Sequence, residues 1–149
     1  MKYEPGELKV IVYDEMGKNC GEEVVRTAGK PHHLQLDVWT QSEENSAQPM
    51  LKGDGQDLAF VTVSLVDKNG TLIPDAQDQL TFDVKGAGTF RAVCNGDATS
   101  LEPFTQPTMK LFNGQLVVVV QAGHEAGNIL LTVSDKKRGM KQRATINVE

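Results

Sequence analysis

Aromatic side chains are scarce in this chain, at 5% of residues with a single Trp. The scarcity bears on function, because proteins that hold sugars on a sheet surface stack the rings on exposed aromatic faces. Cysteine is scarcer still. Cys20 and Cys94 lie far apart in sequence, and neither has a Cys-x-x-Cys partner or a His at ligand spacing. That excludes a structural zinc motif and leads us to expect two free thiols packed as small apolar groups in the core. No apolar run approaches the roughly 20 residues with which a helix crosses a bilayer, so no membrane partner is expected. Basic charge is not in excess either: the formal net charge is −5, with both signs scattered. Nucleic acid is therefore not an expected partner. The one dense basic run, Lys136-Lys137-Arg138, reads as a solvated hairpin tip. Met1-Lys2-Tyr3 leads into Glu4-Pro5-Gly6 without a basic or apolar leader, so no signal peptide is expected in this stretch, which reads as a piece of something larger.

What the chain does contain is strands and turns. With 149 residues, 39% hydrophobic and 23% charged, it suits one ordinary globular domain plus a fragment. Turn signals recur every ten or so residues, which favours an all-β sandwich over alternating βα units. Leu8, Val10 and Val12 precede the turn Asp14 to Lys18, and Val24-Val25 returns, giving a hairpin. Pro31 cannot donate to a ladder, so a domain edge is placed there. Beyond it, Leu34, Leu36 and Val38 alternate with His33, Gln35 and Asp37, as a strand with one wet face requires. Thr40 to Gln56 reads as a long loop. Leu58 to Val66 is a strand closed by the turn Asp67-Lys68-Asn69-Gly70. Leu80, Phe82 and Val84 mark another strand, Phe90 to Cys94 a short one, and Asn95 to Pro107 a loop. Leu116 to Val120 is a continuous apolar run of the kind found in a central strand buried on both faces. Ile129 to Val133 and Ala144 to Val148 complete the set. The expected fold is an immunoglobulin-like antiparallel β-sandwich of about seven strands spanning 31–149, preceded by an extra N-terminal β-hairpin in 1–30.

Candidates for chemistry are few. Asp54 with Asp57, Asp75 with Asp78, and Glu43 with Glu44 are paired acids, but all lie in turns, where carboxylates serve solubility and Asx-turn bonding. No Trp or Tyr stands beside them to raise a pKa. Asp67 to Gly70 opens like a calcium loop but lacks the later bidentate Glu. His32 and His33 are adjacent on an expected strand, which would point them to opposite faces and prevent them clasping one metal. His124 lies in a turn. No Gly-x-Ser-x-Gly elbow and no phosphate loop is present. No catalytic residue, cofactor or metal is expected. Carbohydrate binding survives longest. Phe60 and Phe82 are in phase with core positions, leaving Trp39 and Phe104 off-pattern, either as plugs closing the sandwich or as sugar platforms. Joint exposure on one surface would mark a platform, and burial a plug.

Tyr3 to Val10, Val25 to Pro31, Asp54 to Val63, Asn95 to Ser100 and Phe112-Asn113-Gly114, in this order and spacing, resemble the C-terminal portion of family 2 glycoside hydrolases of the Bacteroides β-galactosidase type. The resemblance covers nearly the whole chain. It implies that 1–30 is the remnant hairpin of a preceding immunoglobulin-like domain and that 31–149 is the terminal one. The catalytic acids of such enzymes belong to a (β/α)₈ barrel that nothing here resembles. The implied role is that of a non-catalytic accessory domain supporting architecture, assembly or substrate access, in a parent that is periplasmic or otherwise exported in a Gram-negative bacterium. The implied partners are other domains of that enzyme, with carbohydrate contact through Trp39, Asn95, Asp97 or Phe104, and homo-oligomer formation through the hairpin, as further possibilities. A carbohydrate-binding module and an adhesin-type repeat are the alternatives, and the Tyr3 to Pro31 segment speaks against the second.

Overall fold

The computed structural model describes residues 4–41 and 49–149. Glu43 and Glu44 lie outside the described residues, as do Met1 to Tyr3. Among those described, eleven strands and no helix are present. β1 (Glu7–Tyr13) and β2 (Asn19–Arg26) pair antiparallel as a hairpin that joins no other sheet. Its turn is set locally: Asp14 Oδ1 accepts the Met16 and Lys18 N–H groups. The rest is a two-layer sandwich. One sheet runs β3 (His33–Thr40), β5 (Leu58–Val66), β9 (Gln115–Ala122), β7 (Gly88–Cys94). The other runs β4 (Met50–Leu51), β11 (Met140–Val148), β10 (Gly127–Asp135), β6 (Gln79–Gly86), β8 (Thr108–Lys110). Seven of these nine are full-length strands, in line with the expected immunoglobulin-like count. The short β4 and β8 sit beside or within segments read as loops, and pair with β11 and β6.

The core lies between the sheets because each strand turns alternate side chains inward. Ala59, Val61, Val63 and Leu65 of β5 meet Leu116, Val118 and Val120 of β9 along one layer, opposite Leu80, Ile129, Leu131, Val133 and Ile146. All are buried, and each fully buried Val or Leu contributes roughly 1.5–3 kcal/mol before entropy is charged against it. The chain changes sheets between β6 and β7 at Gly86-Ala87-Gly88. Gly86 has φ +95°, and a Cβ there would collide with the Asn128 carbonyl oxygen. At Gly88 a Cβ would collide with Ile129 and the Gln121 carbonyl. Only glycine allows the close approach of β10 to Gly86 within its sheet and of Ile129 to Gly88 across the layers.

Four sequence expectations are corrected by the fold. Phe60 is not in core phase: Ala59 and Val61 take the inward positions, so Phe60 faces out and touches Trp39, with ring centroids 5.6 Å apart. Cys20 and Cys94 are free, but exposed rather than buried. Cys94 follows inward Val93 in β7, and Cys20 lies on the coreless hairpin. The continuous run in β9 is buried on its inner face only, for Val117 and Val119 point outward and are half-buried. His32 precedes β3 and does not share its alternation, so its Nδ1 lies 3.1 Å from that of His33.

Candidate functional site

The four residues read as sugar contacts fall in three places. Trp39 is 60% exposed near the end of edge strand β3, and Phe104 is 56% exposed in the loop after β7. Neither is a plug. The Phe104 carbonyl accepts the Val93 N–H on the free side of β7, so four strand spacings, about 19 Å, separate the two aromatics. They do not make one platform. Asn95 and Asp97 line a third location, a cleft of about 780 Å³ with Glu102, Lys110 and Phe112. Both side chains make local bonds there. Asn95 donates to the Lys110 carbonyl, and Asp97 Oδ1 accepts both the hydroxyl and the N–H of Thr99. Those two bonds hold the Asp97 carboxyl below the usual carboxylate range.

Asp54, Asp57, Asp67 and Asp78 are likewise committed to structure, whereas Asp75 is exposed. Asp54 Oδ1 takes the Gln56 and Asp57 N–H groups, which lower its pKa, and Asp57 accepts the N–H groups of Lys52 and Leu58. Asp67 caps its own turn at Asn69 and Thr71 and accepts the Gly29 N–H, tying the hairpin's connecting segment to the sandwich. Asp78 departs from the expectation of a solvated turn acid: its side chain is buried beneath the β10–β11 turn. Arg138 donates Nε and Nη2 to its Oδ2 at 3.0 and 2.9 Å, and Lys137 Nζ stands 2.8 Å from Oδ1. The basic run is therefore a lock as well as a hairpin tip. Burial alone would raise the Asp78 pKa; the two cations outweigh it and hold the carboxyl below its ordinary value.

One surface was missed by sequence reasoning. The register places Trp39 opposite Phe60, Phe60 opposite Val119, and Val119 opposite Ala92. These four form an apolar row across all four strands of the β3-β5-β9-β7 sheet, on its outer side, with Leu58 and Val117 flanking it. The signal available in the sequence was the uninterrupted β9 run, whose outward valines a solvated strand would replace with polar residues.

The family model of glycoside hydrolase family 2 C-terminal domain 5 matches residues 45–144. Beta-galactosidase BoGH2A of Bacteroides ovatus is 37% identical over 142 residues, which is 95% of this chain and 15% of that protein. A beta-galactosidase of Thermoanaerobacter pseudethanolicus is 35% identical over 72 residues, 48% of this chain and 9% of that protein. Among solved structures, a glycosyl hydrolase family 2 member from Bacteroides cellulosilyticus superposes with a TM-score of 0.88 at 27% identity, covering 100% of this chain and 18% of that one. A beta-glycosidase from Bacteroides vulgatus gives 0.84 at 27% identity, covering 98% and 18%. The chain thus spans less than a fifth of each of these relatives. With the match extending over two thirds of its residues and falling on the sandwich itself, the chain belongs to the glycoside hydrolase family 2 C-terminal domain 5 family.

Proposed function

We propose that this chain is the C-terminal accessory region of a β-galactosidase-like glycoside hydrolase, a non-catalytic sandwich that supports the architecture of the enzyme. In this reading 31–149 is the terminal domain, and 1–30 is the last hairpin of the domain before it. The observation that carries it is the two-sidedness of the hairpin. One face bears the ion pairs Lys9–Glu22 and Arg26–Glu7. The other bears Leu8, Val10, Val12 and Val25, each more than half exposed, with Glu23 opposite Val10. A two-stranded ribbon that leaves four aliphatic side chains bare on one face, and packs Ile11 and Val24 among the ion pairs on the other, is half of a layered domain. The aliphatic face stands across an open groove of about 720 Å³ from Leu72, Ile73 and Pro74, with Leu8 and Val25 on its near wall. That space suits further strands of the preceding domain. The names of the relatives supply the reaction class of the parent, and Asp54, Asp57, Asp67 and Asp97 spend their carboxylates on backbone N–H groups, as the turns of a supporting domain do.

The test is an assay of β-galactoside hydrolysis by the full-length polypeptide and by residues 1–149 alone. Activity in the first and none in the second is expected. Hydrolysis by residues 1–149, or a full-length protein inert toward every β-glycoside, overturns the reading.

A further inference from the structure

We infer that the outer face of the β3-β5-β9-β7 sheet is a docking surface for another part of the same enzyme, seated on the row Trp39, Phe60, Val119 and Ala92. The inference rests on the accessory-domain reading and goes beyond it by naming the surface. Three observations favour a protein occupant. First, the row crosses the whole sheet with a single charge at its far edge, that of exposed Arg91 in the β7 bulge, and Trp39 and Phe60 supply the aromatic anchors that interface centres favour. Second, β9 carries a sequence suited to burial on both faces, yet its outward Val117 and Val119 are only half-buried. Third, two of the polar groups beside the row are already engaged. Asp37 accepts the Gln35 amide at 3.0 Å, and the Gln121 amide donates to the Gly55 carbonyl at 2.6 Å. A sugar ring stacked on Trp39 would need such groups for its hydroxyls, whereas an apolar protein surface would not.

The occupant is assigned to the enzyme body. More than four fifths of each relative lies outside the matched segment, so ample protein is on hand to cover the face. The connecting segment enters at the His33 end of β3, some six residues or about 20 Å from Trp39.

Hydroxyl-radical oxidation of Trp39, read by mass spectrometry of its peptide, tests this on residues 1–149 and on the full-length enzyme in the same buffer. Trp39 should oxidise readily in the isolated chain and about tenfold more slowly in the full-length enzyme, as a desolvated interface centre requires. Val119→Lys in the full-length enzyme should restore the fast rate. In the isolated chain the same variant should leave the melting temperature within a few degrees, since the side chain points away from the core. Equal oxidation in both proteins, while the full-length enzyme hydrolyses β-galactosides, overturns the docking surface and leaves the accessory reading standing. Protection that grows with concentration in the isolated chain would assign the face to a second copy instead. Protection by soluble galactosides or polysaccharides would assign it to glycan. An inert full-length protein would sink the accessory reading, whatever Trp39 does.

Discussion

Replacing Asp78 by Ala removes the acceptor on which Arg138 and Lys137 converge, and leaves a buried space where a carboxylate had been solvated by two cations. Both cations can turn toward water, Lys137 most easily, so the cost falls short of that for a fully buried pair. A loss of about 2 kcal/mol is expected in urea unfolding. The same group sets a pH dependence. Its folded pKa is held below the ordinary value of about 3.9, so the unfolded chain takes up the proton first. The stabilisation is complete above about pH 4 and is lost as the pH falls through the folded value. Stability measured from pH 6 down to pH 2 should therefore fall less steeply in Asp78→Asn than in the parent chain; an unchanged slope would remove Asp78 from the acid transition. None of this was legible locally. The basic turn reads correctly as a turn, but its carboxylate lies 60 residues earlier, and no spacing rule reaches that far. The thiols were misread for a related reason, because a strand's phase is fixed by its partners. Native-state titration with a thiol reagent should accordingly count two cysteines per chain before any denaturant is added.

At the scale of elements, alternation found the strands, and the turn residues found most of their ends. β5 shows where that reading slips. Leu58 and Phe60 share one phase and Val61, Val63 and Leu65 the other, and a large aromatic looks like a core residue until the opposite sheet is in place. The pairing decides it: Phe60 stands opposite Trp39 and Val119 on the outer side. The short strands β4 and β8 escape alternation altogether, since two or three residues carry no period. The Gly86-Ala87-Gly88 corner, by contrast, is legible as a turn, and the structure adds its purpose. Gly70 and Gly86 both adopt left-handed φ, +82° and +95°, but a Cβ at Gly70 meets open space, whereas one at Gly86 meets the Asn128 carbonyl. Gly70→Ala should therefore cost about 1 kcal/mol for backbone strain alone. Gly86→Ala should cost clearly more, because the β6–β10 pairing must give way as well. Equal losses in the two variants would mean that the corner relaxes freely.

For the molecule as a whole, the sandwich and the hairpin differ in what holds them. Every residue of the buried core belongs to 34–148, and of the hairpin and its connecting segment only Ala28 packs against it. The hairpin has its own ladder and two surface ion pairs, which are worth little in water. The turn spacing revealed the sandwich, while the role proposed for the hairpin rests on a resemblance to longer enzymes, since alternation in β1 and β2 gives a ribbon and says nothing of what covers it. A chain beginning at Ala28 keeps the core and the Gly29–Asp67 tie. It should unfold within about 1 kcal/mol of the full chain, against about 2–5 kcal/mol lost on Leu131→Ala at the centre of β10. It should also stay soluble to higher concentration, because the aliphatic face and open edges of β1 and β2 are removed with the deletion. If deletion instead costs as much as the core truncation, the hairpin is bound to the sandwich as one cooperative unit, and the boundary at Pro31 does not separate two domains.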